Sequence, residues 1–267
     1  HSRNMTVSGD LLFNLPGQSI AEMLADIAIG NQMGFDQLCL YHLVLFRGLG
    51  TAWSRDAELV RSLPDNDAAV ANWQALRNAM IQQGFYQSTL TNFERSALEN
   101  DSRHYIYETC SFEPGSHDML GFGPSAISYS LRANGHTALK TMNPESSVEY
   151  MQALKKPLPF WSRYFEFDLE SFRLLYLARQ LSKLTIPRDA YRTLLGSDVL
   201  SDYAEEWKAL SRQNLIEIDG ACIRLTAHGM FFSDTVASVL SHRHHTARLE
   251  RSTASRQFLE GNQSGHM

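Results

Sequence analysis

The sequence predicts an α/β protein in which strands and helices alternate along the first part of the chain and helices dominate the last part. Two stretches carry this prediction. Residues 10–18 (DLLFNLPGQ), which overlap an apolar run at residues 7–13, read as a buried strand that ends in a Pro-Gly loop. Residues 121–128 (GFGPSAIS) read as a strand that runs into a glycine turn. Parallel α/β scaffolds build their ligand sites at such strand ends. We therefore expect the functional site to include both stretches.

Length and composition restrict the class of protein. The chain has 267 residues, of which 43% are hydrophobic and 20% charged, enough for one large domain or two modest ones. The net charge of -5 gives no support for a nucleic-acid partner. No apolar run approaches the roughly 20 residues of a membrane span, and the first residues lack a signal-peptide pattern. The sequence thus predicts a soluble, cytoplasmic protein without a membrane partner.

The first elements form a predicted βαβ unit. After the apolar run, Ser19 and Glu22 make a capping box, and the helix that follows ends at Gly34. Residues 38–46 are almost continuously apolar, which is typical of a strand covered on both faces. A second helix is predicted between residues 65 and 84. Its apolar face comprises Ala69, Trp73, Leu76 and Met80.

Short strands are predicted next. Residues 85–91 form a third strand, and residues 104–109 a fourth, because tyrosines alternate with other residues there. Asn134-Gly135 predicts a two-residue hairpin between residues 129–133 and 136–140. The domain that contains these elements is expected to span residues 1–156.

The last part of the chain has a different character. An aromatic run at residues 160–167 reads as a linker, and three helices, two short strands around Asp219-Gly220 and a final helix follow. This order is typical of a winged-helix module, which we expect to span residues 157–241. Residues 242–267 are polar and predict a disordered tail. The histidines within it, residues 242, 244 and 245, read as a solvated run.

Several polar residues are candidates for binding. Asp10 can accept hydrogen bonds from a ribose diol, although the residues alone favour a carboxylate that caps a helix or satisfies its loop. His42 places an imidazole near a strand end, where it is either a ligand-binding group or a core histidine. Gly121 and Gly123 allow a backbone to approach a ligand closely, but a lone GxG is also a common tight turn.

The three cysteines carry no predicted chemistry. Cys39, Cys110 and Cys222 lie far apart and form no CxxC group, so the sequence predicts neither a disulfide framework nor a cysteine-held metal site.

The motifs resemble a known family. Residues 10–18, 41–43 (YHL) and 121–128 resemble barrel motifs of radical S-adenosylmethionine (SAM) enzymes of the oxygen-independent coproporphyrinogen III oxidase family, and residues 225–233 (LTAHGMFFS) resemble its closing segment. The resemblance implies a partial (β/α) radical-SAM barrel followed by an α-helical, winged-helix-like C-terminal domain. Three further segments resemble the anaerobic haem-utilisation branch, whose members methylate haem by radical chemistry and open its ring. They are residues 92–95 (NFER), 102–108 (SRHYIYE) and 118–123 (DMLGFG).

Site residues follow from the resemblance position by position. It implies that Asp10 is the carboxylate that binds SAM, that Val44 lines the adenosyl group through its backbone, and that Ile127 touches the SAM beside the cluster. No catalytic residue and no metal ligand is implied in this chain. The positions expected to contact substrate are Tyr41, His42, Gly121, Gly123 and Ser125.

Other parts of the family pattern have no counterpart here. The CxxxCxxC loop that holds a [4Fe–4S] cluster and the glycine-rich motif for the SAM methionine group are missing. We therefore expect the chain to be the C-terminal part of a longer enzyme, inactive alone because the cluster must reduce SAM. For the whole enzyme, the resemblance implies a tetrapyrrole substrate, haem or coproporphyrinogen III, and an electron donor such as flavodoxin.

Alternatives to the haem-degrading enzyme stay open. One is an oxygen-independent coproporphyrinogen III oxidase, and another is a haem-binding or haem-delivery protein of the same family. The residues that offer axial ligands for such a carrier are His42, His104, His117 and Tyr41. A winged-helix nucleic-acid binder at residues 168–240 is disfavoured, because the helix at residues 199–213 has more acidic than basic side chains.

Overall fold

The structure is a computed structural model that describes residues 5–45, 49–157 and 160–244. The chain divides into two compact units, His1–Ile106 and Tyr107–Met267, and each is described by itself. The mixture of strands and helices confirms the α/β class. The predicted domain boundary at residue 156 stays a prediction.

The first unit begins with the expected βαβ arrangement. Strand β1 (Ser8–Phe13), helix α1 (Ile20–Gln32) and strand β2 (Gln37–His42) follow in order, and the two strands are parallel. The capping box at the start of α1 is present. Helix α1 packs on β2 at Gly30, where an added Cβ would lie 3.0 Å from the Leu38 methyl groups. The close contact between helix α1 and strand β2 therefore depends on glycine at position 30.

The remaining elements complete a four-stranded sheet. The bounds are α2 (Ala52–Arg55), α3 (Ala57–Arg61), α4 (Asn66–Gln82), β3 (Phe85–Gln87) and β4 (Asn92–Arg95). The strand order is β1-β2-β4-β3, with β4 antiparallel to both neighbours. Helix α4 buries the apolar face that the sequence predicted. The third predicted strand is shorter than expected, because the backbone turns at residues 88–91 and Ser88 donates to the Asn92 carbonyl.

The predicted fourth strand was wrong. Residues 104–109 instead lead into helix α5 (Ile106–Ser111). The alternation that suggested a strand has no buried partner, since Ile106 and Tyr107 are 61% and 62% exposed. Alternation indicates a strand only when one of its two faces packs against a core.

The second unit has an antiparallel sheet in the order β5-β6-β7. Its elements are β5 (Ile127–Leu131), β6 (Ala138–Met142), α6 (Ser147–Ala153) and β7 (Arg163–Phe167). The predicted hairpin is present, but its loop is longer than two residues, because Leu131 pairs with Ala138. The aromatic run expected to be a linker contributes β7 to this sheet.

The last part of the second unit combines helices with a small antiparallel sheet. The bounds are α7 (Leu169–Ser182), β8 (Thr185–Pro187), α8 (Arg188–Leu195), α9 (Val199–Asp202), α10 (Ala204–Arg212), β9 (Ile216–Ile218), β10 (Cys222–Leu225) and α11 (Ala227–Phe231). Residues 233–244 are also helical. The sheet order is β8-β10-β9, and β8 was not anticipated.

The helix at residues 233–244 extends into the predicted tail. Residues 242–244 of the predicted disordered tail are helical, whereas residues 245–267 lie outside the described residues, as do Phe46 of the second predicted strand and His245 of the histidine run. The disorder stays a prediction.

Within the described ranges, no helix is both long enough and apolar enough to cross a membrane.

Candidate functional site

The first sheet has two chemically different faces. Residues paired across neighbouring parallel strands project to the same side. Ser8 pairs with Gln37 and donates a 2.8 Å hydrogen bond to its Oε1, whereas Phe13 pairs with His42 and stacks on its ring at 5.2 Å. Helix α1 covers the side on which Leu38 lies. We call that side the helix face and the opposite side the polar face.

The polar face carries most of the hydrogen-bonding side chains of the sheet. Its members are Ser8, Asp10, Gln37, Cys39, Tyr41, Tyr86, Asn92 and Glu94. Four of these residues are almost completely buried, namely Gln37, Cys39, Asn92 and Glu94. Buried polar groups lose water and need partners inside the protein. A sheet face of this composition is costly for stability, which makes it the candidate site.

Asp10 lies on the polar face in the middle of β1. It pairs with Cys39, and its side chain is exposed. Within the described part of the chain, no group donates a hydrogen bond to its carboxylate. Both oxygens thus have acceptor capacity for a ligand, which an Asp that capped its own loop would lack.

Tyr41 and His42 project to opposite faces. Tyr41 shares the polar face with Asp10, because it pairs with Leu12, two residues further along β1. His42 lies on the helix face against Phe13, and burial lowers the pKa of its imidazole. The structure therefore brings Tyr41, but not His42, to the side of Asp10. Their predicted contacts with a substrate stay predictions.

The loop after β1 has a fixed conformation. Asn14 adopts a positive φ of 61° and its buried Oδ1 accepts a 2.8 Å hydrogen bond from Asn72 of α4. Gln18 accepts from the backbone N–H of Leu15 and donates to Asp26 of α1. The carboxyl end of β1 is thus tied to helices α1 and α4. Val44, just beyond β2, is 58% exposed, and its predicted contact with SAM stays a prediction.

The most buried group of the polar face is the carboxylate of Glu94. Its Oε2 accepts from the Tyr86 hydroxyl at 2.6 Å and lies 2.6 Å from His104 Nδ1, and its Oε1 accepts from the Tyr105 backbone N–H at 2.9 Å. Burial and the bond to Glu94 raise the pKa of the Tyr86 hydroxyl, which keeps it a donor. We call Glu94, Tyr86 and His104 the Glu94 cluster.

Sequence reasoning did not identify this cluster. Glu94 and His104 fall within segments 92–95 and 102–108, which contributed to the family resemblance, but neither Glu94 nor Tyr86 was named as a site residue. The signal lies in the strand register, since Tyr86 pairs with Glu94 across β3 and β4. A register between two short strands is not readable from composition or alternation.

The glycine turn of the second unit has a closely packed backbone. A Cβ on Gly121 would lie 2.4 Å from the Ile127 carbonyl oxygen, so only glycine fits. Asn143 Nδ2 donates to the carbonyls of Gly121 at 3.3 Å and Gly123 at 2.9 Å, and Gly123 N–H donates to the Tyr150 hydroxyl at 3.1 Å. Ser125, with a φ of 59°, continues the same turn.

The turn displays apolar side chains. Leu120 and Phe122 are 78% and 84% exposed, and Ile127 begins β5 with its side chain partly exposed. The structure therefore brings four of the predicted positions together in the second unit, namely Gly121, Gly123, Ser125 and Ile127. Asp10, Tyr41 and Val44 belong to the first unit. A joint role of Asp10 and Ile127 at one SAM molecule stays a prediction.

The cysteines do not fit an iron–sulfur cluster. Cys39 lies in β2, Cys110 in α5 and Cys222 in β10, and Cys222 donates to Asp219 within its own hairpin. Among the residues that the structure describes, no three histidine, cysteine or acidic side chains are grouped as metal ligands. The described residues therefore do not form a [4Fe–4S] site.

Comparison with known proteins relates the chain to radical SAM proteins. No family model matches it. It is 28% identical over 145 residues to radical S-adenosyl methionine domain-containing protein 1, mitochondrial, from Bos taurus, and equally to the protein of that name from Mus musculus. Each match covers 52% of this chain and 31% of the relative.

A solved structure supports the same relation at the level of the fold. Coproporphyrinogen III oxidase (HemN) from Escherichia coli, described as a radical SAM enzyme, superposes with a TM-score of 0.64 at 17% identity. The match covers 88% of this chain and 54% of that enzyme. The chain thus has a HemN-like fold, and it spans about a third of the curated relatives and about half of the solved one.

Proposed function

We propose that this chain is part of a radical SAM enzyme that acts on a tetrapyrrole, and that the reaction is the radical methylation and ring opening of haem for anaerobic iron acquisition. The observation that carries the proposal is the polar face of the first sheet, with the open carboxylate of Asp10, in a chain with a HemN-like fold. The motifs of segments 92–95, 102–108 and 118–123 support the haem-utilisation branch.

In this proposal, SAM binds at the carboxyl end of β1. The Asp10 carboxylate accepts hydrogen bonds from the ribose hydroxyls, as acidic residues do in nucleotide sites. Val44, which is 58% exposed just beyond β2, lies beside the adenosyl group in this proposal. SAM, when bound, supplies the radical or the methyl group, and the protein contributes orientation and exclusion of water.

The tetrapyrrole is proposed to contact the glycine turn. Leu120 and Phe122 are exposed on it, and Val148 and Met151 are exposed on α6. Helix α6 lies beside the turn, because the Tyr150 hydroxyl accepts from Gly123 N–H. Exposed apolar groups of this kind mark binding surfaces for flat hydrophobic ligands. The [4Fe–4S] cluster and a flavodoxin-like electron donor belong to the proposal for the whole protein only.

Anaerobic turnover tests the proposal. The whole protein, reconstituted with iron and sulfide, is incubated with SAM, a reductant and either haem or coproporphyrinogen III, and the products are quantified by mass spectrometry. We expect haem to be consumed with formation of 5′-deoxyadenosine. We expect Asp10→Asn to reduce turnover by about tenfold or more, because a charge-assisted hydrogen bond is lost. Asp67→Asn, at an exposed position on α4, is the matched control.

The two substrates distinguish the haem-utilisation branch from the broader proposal of a tetrapyrrole substrate. Consumption of coproporphyrinogen alone would retain the tetrapyrrole and reject the haem-utilisation branch. Failure to consume either compound, with SAM intact, would reject the proposed reaction. Turnover unaffected by Asp10→Asn would remove Asp10 from the SAM site.

A haem carrier is the second candidate function. Metal-ligating histidines commonly donate one ring nitrogen to a carboxylate, and His104 Nδ1 lies beside Glu94 in this way. A Soret band that appears on haem titration, with no 5′-deoxyadenosine formed by the reconstituted protein, would favour the carrier over the enzyme.

The last part of the chain is proposed to be a supporting domain. The order α7-β8-α8-α9-α10-β9-β10 and the antiparallel sheet support a winged-helix-like fold for residues 157–241. Helix α10 has Glu205 and Glu206 in its first turn, which is unfavourable for a nucleic-acid recognition helix. The cytoplasmic location predicted from the sequence is part of this proposal.

A further inference from the structure

The Glu94 cluster contains a carboxylate that is fully buried beside one basic side chain. The Glu94 side chain is 0% exposed, and His104 Nδ1 lies 2.6 Å from its Oε2. Tyr86 approaches the same two groups, with its hydroxyl 2.6 Å from Oε2 and 3.1 Å from His104 Nδ1. A buried carboxylate is destabilising unless neighbouring groups bind it. The His104 ring and the Tyr86 hydroxyl are these neighbours at Glu94 Oε2.

The other edge of the His104 ring is available. The side chain is 27% exposed although its Nδ1 is engaged. Across the described ranges, Nε2 has no hydrogen-bond partner, and it is absent from the buried unsatisfied atoms. His104 Nε2 therefore reaches solvent. In an imidazolium ring, this atom is a charged N–H donor.

We propose that His104, positioned by Glu94, binds a carboxylate group of the ligand through its Nε2 edge. This inference rests on the proposed function, in which the carboxylate is a propionate of the tetrapyrrole. Glu94 is the positioning residue, because it contacts the histidine ring and not the ligand.

A comparison of the acid with its ester tests the inference. The whole protein is titrated with haem and with haem dimethyl ester, in which both propionates are neutral, and binding is followed by absorbance. We expect His104→Gln to weaken haem binding by about tenfold and to leave ester binding unchanged, because a charge-assisted hydrogen bond is lost only for the acid. Glu94→Gln should give the same selective loss. His136→Gln, at an exposed loop position, is the control.

Equal weakening of acid and ester binding by His104→Gln would overturn the inference and indicate iron ligation or misfolding.

A second measurement is independent of tetrapyrrole binding. Sodium propionate is added to protein labelled for histidine NMR, with chloride at equal ionic strength as the reference. We expect the His104 ring signals to shift, the His136 signals to stay, and the His104 shift to be lost in Glu94→Gln. Unchanged His104 signals would overturn the inference, whereas absence of binding of either tetrapyrrole by the wild type would reject the proposed function.

Discussion

The polar face of the first sheet and the helical part of the second unit stabilise their interiors in different ways. The polar face buries a carboxylate and two amide side chains, Glu94, Gln37 and Asn92. Between residues 169 and 225, Gln180 is the buried polar side chain among the described residues, and the interior is otherwise aromatic and aliphatic. Burial of apolar side chains stabilises a fold without requiring specific bond directions, whereas each buried polar group must form hydrogen bonds with a partner. The contrast supports the proposal that the first sheet, rather than the last part of the chain, carries the binding site.

The largest expected effect lies in the apolar region. Trp207 is almost fully buried, and its indole N–H donates to the Val199 carbonyl at 2.8 Å. We expect Trp207→Ala to lower the free energy of unfolding by about 3–5 kcal/mol through lost burial and the cavity that remains. Chemical denaturation followed by circular dichroism measures it. Ile218→Ala, at a partly exposed position of β9, is the control and should cost far less. A similar small cost for both would show that this region is not a packed core.

A smaller effect is expected on the polar face. Glu94→Gln keeps the side-chain shape but removes the charge that faces His104, and we expect a loss of about 1–3 kcal/mol in the free energy of unfolding. Denaturation of the single variants and of the double variant with His104→Gln gives the coupling between the two residues. If the losses in free energy of unfolding of the two single variants add up in the double variant, Glu94 and His104 do not act as a unit. The contrast between the polar face and the apolar helical region would then be weaker.

The smallest effect concerns the helix face. Burial lowers the pKa of His42 below its usual value of 6.5, so in acid the unfolded chain takes up the proton before the folded protein does. Stability from this residue is therefore fully present at higher pH and decreases as the pH falls below about 6.5. We expect His42→Phe, which preserves the stack on Phe13, to flatten this acid dependence. Denaturation midpoints at several pH values between 5 and 8 would measure it (about the range in which histidine titrates). An unchanged slope in the variant would assign the dependence to other groups.

Much of the fold was predictable because local signals agreed with the tertiary structure. The capping box at Ser19 and the apolar periodicity of α4 each specify an element without reference to distant residues. The strand predicted at residues 104–109 failed for a physical reason, because its alternating side chains do not face a core. The coarse relation to radical SAM proteins was also anticipated and is confirmed by the comparisons.

The candidate site was predictable only in part. Asp10 is identifiable from its strand and loop, and the structure leaves its carboxylate open. The Glu94 cluster depends on which residues pair across β2, β4 and β3, and short strands do not encode that pairing locally. The separation of Tyr41 from His42 likewise requires knowledge of which face the helix covers.

The alternation along β2 allows its two environments to change independently. Substitutions at residues 37, 39 and 41 change the polar face that carries Asp10, whereas those at residues 38, 40 and 42 change the packing on the helix face. Sequence divergence within one six-residue strand can therefore change one face while the other is retained.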